Sequence, residues 1–147
     1  VAPVLVIGIG NPSRGDDAIG PLAVDRLEAR GLPGIELLTD FQLQVEHALD
    51  LVGRSKVVFV DAAASGPEPF SFAPVTPAAD TGALTHSLSP EAVLRAFQRV
   101  TDAPMPAAFA LAVRGYDFDL GADLSAEAGA NLDAALDTLI AHLAAAP

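Results

Sequence analysis

The chain contains no cysteine. That excludes a disulfide framework, a thiolate zinc site and a cysteine nucleophile, so any metal must be held by Asp, Glu or His. Basic residues are scarce as well. Eight Lys and Arg stand against 19 Asp and Glu, a formal net charge of −11, and Lys56 is the only lysine. Such a surface repels phosphate backbones and anionic headgroups, which argues against nucleic acid and against membrane surfaces as partners. No apolar run approaches the roughly 18 residues of a membrane span, and Val1-Ala2-Pro3 carries no basic segment ahead of an apolar one. A soluble, cytoplasmic protein is the expectation.

Apolar residues are plentiful: 51% of the 147 residues are hydrophobic and 18% are charged, which excludes a disordered chain. A chain of this length buries roughly 70% of its unfolded surface in one core. A single domain over residues 1–147 is expected. Pro3 to Gly10 is a continuous apolar run closing on glycines, the pattern of a strand buried on both faces. After the turn Asn11 to Gly15, the segment Asp17–Arg30 places Ile19, Ala23 and Leu27 on one helical face and stops at Gly31. Ile35–Thr39 reads as a second strand ending at Asp40, and Val45–Val52 as a second helix. Lys56–Val60 repeats the buried-strand pattern and stops at Asp61.

This β-α-β-α-β alternation calls for right-handed crossovers and a parallel sheet covered on both sides. The remainder reads as an edge strand within Pro69–Val75, a loop over 76–88, and a helix Pro90–Val100 with Ser89 as its N-cap. A strand Ala107–Val113, a loop Arg114–Asp123 and a final helix from about Ser125 to Ala144 complete the chain. The fold class is α/β, three layers α/β/α around a mostly parallel, roughly five-stranded twisted sheet. No long apolar helix face remains once the sheet is covered, so a monomer is expected.

In an open parallel sheet, ligands collect beyond the carboxyl ends of the strands. Asp16 and Asp17 follow the first strand by a loop, Asp40 ends the second and Asp61 the third. Carboxylates converging there need protonation or a cation, and His86 can add a neutral nitrogen ligand. An Asp/Asp/His set suits nickel or zinc better than magnesium. Plainer readings stand beside each residue: Asp17 as a helix N-cap, Asp40 as a turn residue, His86 as a surface histidine. His47 and His142, in helices with no acidic rim in view, read as structural or solvated, and Asp50 with Arg54 as a surface helix pair.

Other chemistries fall away. Gly8-Ile9-Gly10 begins a dinucleotide fingerprint, but its third glycine would fall at Ser13, and no phosphate-loop, nucleophile-elbow or His-Glu-x-x-His motif is present. A phosphorylation receiver domain also gathers aspartates at strand ends, and Asp16, Asp17 and Asp61 resemble its acidic set. However, a receiver wants a lysine after its last strand, where this chain has Arg114-Gly115, and its acidic pair directly at the end of the first strand.

Gly8-Ile9-Gly10-Asn11, four residues, then Asp16-Asp17 and Gly20 resemble the opening of the hydrogenase maturation endopeptidases. The similarity continues through Val57-Val58-Phe59-Val60-Asp61-Ala62 and Thr85-His86, and in the order of elements. Asp40 to His47 looks closest to members serving NAD-reducing cytoplasmic hydrogenases. The resemblance implies an aspartic-type endopeptidase and enzyme activator. Its partner is the nickel-iron hydrogenase large-subunit precursor, from which it removes a C-terminal extension after nickel insertion. It further implies that Asp17, Asp61 and His86 bind nickel presented by the precursor, the site in isolation being empty or holding another divalent ion. The same three residues, with Asp40, form the catalytic set, and Gly10, Asn11 and Asp16 a substrate-binding loop. The family often carries Glu where Asp17 stands. The alternative is a non-enzymatic receiver-like or metal-carrying binding domain. A weaker likeness to bacterial peptidyl-tRNA hydrolases, through the Gly-Asn-Pro turn, meets the objection that their substrate is a polyanion.

Overall fold

The computed structural model describes residues 1–79 and 88–145. Five strands, β1 (Val4–Ile9), β2 (Ile35–Asp40), β3 (Lys56–Ala63), β4 (Phe70–Pro74) and β5 (Ala107–Arg114), form one sheet in the order β2-β1-β3-β5-β4. All pairs are parallel except β4 with β5. β4 carries the sheet edge, where a proline-bearing strand loses no ladder bond. The α/β reading with a mostly parallel five-stranded sheet holds.

Helices cover both faces. On one, α1 (Ile19–Arg30) and α4 (Ala126–Ala144) bury Ile19, Ala23, Leu27, Leu132 and Leu139 against Val6, Val58, Val60 and Leu111. On the other, the single turn α2 (His47–Asp50) and α3 (Pro90–Val100) bury Leu51, Val93, Leu94 and Phe97 against Leu5, Ile7, Val57 and Phe59. Alternate residues of β1 and β3 feed the two cores in turn, which is why these strands read as unbroken apolar runs. Among the described residues, no helix is long and apolar enough to cross a membrane.

The N-caps of α3 and α4 are Ser89 and Ser125, whose hydroxyls accept from the Ala92 and Ala128 N–H groups at 3.1 and 3.2 Å. α1 meets β1 backbone to backbone. A Cβ on Gly8 would lie 2.4 Å from the Gly20 carbonyl oxygen, and one on Gly20 would lie 2.2 Å from that of Ile9. Only glycine at both positions permits this approach.

Three expectations are corrected. The helix expected over Val45–Val52 is only the turn His47–Asp50, because Val45, Leu49 and Val52 face solvent while His47, Ala48 and Leu51 face the core. β3 does not stop at Asp61 but runs to Ala63, carried on by pairing with β5 as far as Arg114. Arg54 is not a surface partner of Asp50. It is buried, bonding Glu36 Oε1 at 2.9 Å and the carbonyls of Ala2 and Asp50 at 2.9 and 3.0 Å. His142 is structural as read, packed edge-on against Phe72 and Phe109.

Candidate active site

The sheet's register sets the rim. Ile9 pairs with Asp40 on one side, and Gly8 pairs with Val60 on the other, so Asp40, Ile9 and Asp61 stand abreast on three adjacent strands. Asp61 lies two residues beyond Phe59 and Asp40 two beyond Leu38, so both project toward the α2/α3 side. Two strand spacings put their backbones ~10 Å apart. β1 lies between two strands whose connections leave in opposite directions, so this is the switch point where an α/β sheet opens a crevice.

The loop after β1 delivers Asp17. Gly10 has φ +146°, and a Cβ there would lie 1.9 Å from the Asp17 carbonyl oxygen, so only glycine lets the chain double back this tightly. Asn11 then does two things: its Oδ1 accepts from the Ser13 N–H at 2.9 Å, and its own N–H donates to Asp17 Oδ2 at 2.6 Å. The Asp17 carboxylate therefore caps no amide of α1, and the N-cap reading fails. Gly15–Ala18 is a short 3-10 turn leading into α1.

Asp17 and Asp61 share a cleft of about 320 Å³, walled by Ile9, by Phe41, Gln42 and Leu43 from the loop after β2, and by Leu88, Ser89 and Pro90 at the start of α3. Asp61 Oδ1 accepts from the Ala62 N–H at 2.8 Å. Burial pushes its carboxyl up to about 7, and the charge of Asp17 adds to this against the lowering effect of the Ala62 N–H. Among the described residues, no donor bonds the second oxygen of either aspartate. Two carboxylates crowded into one cleft are a donor set that a divalent cation fits. Among the described residues no group of three potential metal-binding side chains forms, and His86, with Thr85, lies outside them.

Asp16 is placed differently from the substrate-binding role expected of it. It is fully buried, and its carboxylate accepts from the N–H groups of Tyr116, Asp117 and Ser125 at 2.7, 3.0 and 2.7 Å and from Ser125 Oγ at 2.8 Å. Burial opposes its charge, but these donors outweigh it and hold the carboxyl below the usual range. It ties the loop after β5 to the 3-10 turn. Asp40, too, sits apart from the Asp17–Asp61 cleft. It lines an adjoining cavity of about 290 Å³ with Gly10, Pro12, Pro21, Thr39 and Phe41, and its Oδ2 stands 3.3 Å from His47 Nε2. The expectation that His47 has no acidic neighbour is thus overturned. Sequence reasoning missed Phe41, Gln42 and Leu88 as cleft walls. The signal was available for Phe41, an aromatic placed directly after a strand-ending aspartate.

Comparison with solved structures places this architecture. The NiFe hydrogenase maturation protease HycI from Thermococcus kodakarensis is 24% identical, with a TM-score of 0.72 over 97% of this chain and 92% of its own. The hydrogenase maturating endopeptidase HybD from E. coli is 23% identical, with a TM-score of 0.72 over 95% and 91%. A hydrogenase 2 maturation peptidase from a Thaumarchaeota archaeon is 23% identical, with a TM-score of 0.67 over 96% and 97%. This chain has the fold of hydrogenase maturation proteases. No family model matches the chain, and no curated protein matches it in sequence. The likeness covers nearly the whole of each chain compared.

Proposed function

We propose that this protein is an endopeptidase of hydrogenase maturation, which removes the C-terminal extension of a nickel-iron hydrogenase large-subunit precursor after nickel insertion. One observation carries the reading. Asp17, from the turn after β1, and Asp61, from β3, share one cleft at the switch point of a sheet whose fold is that of hydrogenase maturation proteases. The nickel is part of the substrate, held by the precursor's own cysteines, and Asp17, Asp61 and His86 bridge it. A divalent ion there would offset the repulsion between the two carboxylates and so report that the precursor is filled.

The chain's own part is positional. Asn11 N–H holds one oxygen of Asp17 and Ala62 N–H one oxygen of Asp61, fixing which lone pairs face the cleft. The Phe41–Leu43 and Leu88–Pro90 walls confine an extended peptide beside them. The receiver-like alternative needs Asp16 and Asp17 together at a metal, and Asp16 is already engaged by four donors from the loop after β5 and from Ser125.

The test is a processing assay with nickel-loaded and nickel-free precursor, the products weighed by mass spectrometry. Loss of a C-terminal peptide from the loaded precursor alone is expected. A double variant Asp61→Ala, His86→Ala that processes at the wild-type rate would overturn the site. Failure to cleave a competent cognate precursor in either state would overturn the activity.

A further inference from the structure

The loop between β2 and α2 is closed on itself by one buried ring. His47 is only 8% exposed, whereas Phe41 on the same loop is 64% exposed. The Nδ1 of His47 accepts from the Gln44 N–H at 2.8 Å. A ring nitrogen that accepts carries no proton, so the neutral imidazole has its proton on Nε2. That nitrogen stands 3.3 Å from Asp40 Oδ2. The other oxygen of Asp40 accepts from the Phe41 N–H at 2.7 Å, and its backbone carbonyl accepts from the Gly10 N–H at 3.0 Å. The ring thus joins the last residue of β2 to the first of α2. Between them Leu43 is buried, and its carbonyl accepts from the Leu88 N–H at 3.0 Å, tying the loop to the opposite wall of the cleft.

Phe41 lines both the Asp17–Asp61 cleft and the adjoining cavity that holds Asp40. It is the divide between them, an exposed aromatic with open space on either side.

We propose that His47 is a positioning residue: its Nε2 edge, 3.3 Å from Asp40 Oδ2, holds that carboxylate electrostatically and so sets the Phe41–Leu43 wall, which selects the peptide segment lying across the two cavities. This rests on the peptidase reading above and deepens it. The occupant is an extended stretch of the precursor whose side chains fall on either side of Phe41, where a rigid ring gives contact area at little ordering cost. Asp40 acts through this clasp and not at the Asp17–Asp61 cleft.

The first test needs neither a variant nor a substrate. Nitrogen NMR of the wild-type imidazole should show Nε2 protonated and Nδ1 bare; the opposite tautomer, or rapid exchange between the two, overturns the clasp. In His47→Ala, the Phe41 and Leu88 amides should exchange faster with solvent, and in His47→Gln, which retains an N–H donor, less so. Unchanged exchange at both amides overturns the coupling of the ring to the wall.

In the processing assay, His47→Ala and Phe41→Ala should each raise KM about tenfold and leave kcat within roughly threefold, with His47→Gln partly restoring KM. A fall in kcat at constant KM would make the pair part of the chemistry and overturn a positioning role. Should His47→Ala fail to fold, Phe41→Ala and the wild-type tautomer still decide. If wild-type protein cleaves nothing, peptide selection falls with the peptidase reading, while tautomer and exchange still judge the clasp.

Discussion

Asp16 and Asp61 are two aspartates of the same rim in opposite electrostatic situations. Asp16 has no exposure and four donors, and its carboxyl is held below the usual range. Among the described residues Asp61 has one backbone donor, with a like charge for company, and burial pushes its carboxyl up to about 7. Burial opposes the charge in both; donors offset it at Asp16, whereas at Asp61 the charge of Asp17 adds to it. Acidic residues at a rim divide on this ground. A fully solvated-by-protein carboxylate is committed to holding loops together, while an under-solvated one is available to an outside cation.

Breaking the better-satisfied member should cost most. Asp16→Ala leaves the Tyr116, Asp117 and Ser125 N–H groups without their acceptor, and denaturant unfolding should show a loss on the order of 3–5 kcal/mol. Gly10→Ala tests the loop that brings Asp17 to the cleft. Its φ of +146° and the 1.9 Å approach to the Asp17 carbonyl predict a loss of about 2–4 kcal/mol, together with displaced Asp17 signals in an NMR spectrum. The under-satisfied member should respond with the opposite sign. Asp61→Asn removes a repelled charge and should stabilise the metal-free protein by about 1–3 kcal/mol at pH 8, even as it abolishes processing.

The pH dependence follows from the direction of each shift. Asp61 has a folded value near 7 and an ordinary value of 3.8, so between them the folded state binds more protons than the unfolded one. Its contribution to stability therefore falls as pH rises through that window. The gain from Asp61→Asn should shrink toward nothing as pH is lowered from 8 to 4, measured by urea unfolding at each pH. Asp16 runs the other way. Its stabilisation is present above the ordinary carboxylate range and is lost only as pH falls through its lowered value. The smallest expected effect lies outside the comparison and calibrates it: Ser89→Ala should cost about 1 kcal/mol through the lost N-cap of α3.

Much of the framework was legible in the sequence. β1, β3 and β5 announce themselves by length and apolar continuity, and α3 and α4 by Ser89 and Ser125 with the apolar faces behind them. These signals are local. The errors all involve partners distant in sequence or in phase. Arg54 looked like the partner of Asp50 because Ala2 and Glu36 reach it only after β1 and β2 have paired. His47 looked isolated because Asp40 comes near it only when the loop folds back. At the site, Asp61 was legible as an acid closing an apolar strand and Asp17 as one following the first strand by a loop. That Asp16, one residue from Asp17, turns away from the cleft was not, because its donors lie about a hundred residues further along the chain.

The direct backbone contact between Gly8, Ile9 and Gly20 has a thermodynamic consequence for the cleft. Where a strand and a helix meet through side chains, rotamer changes can absorb a displacement; here no side chain intervenes. The turn carrying Asp17 hangs between β1 and α1 and inherits their stiffness. Little conformational freedom is left to lose when a ligand arrives, so association there should carry a small entropic penalty and leave the cleft's shape almost unchanged.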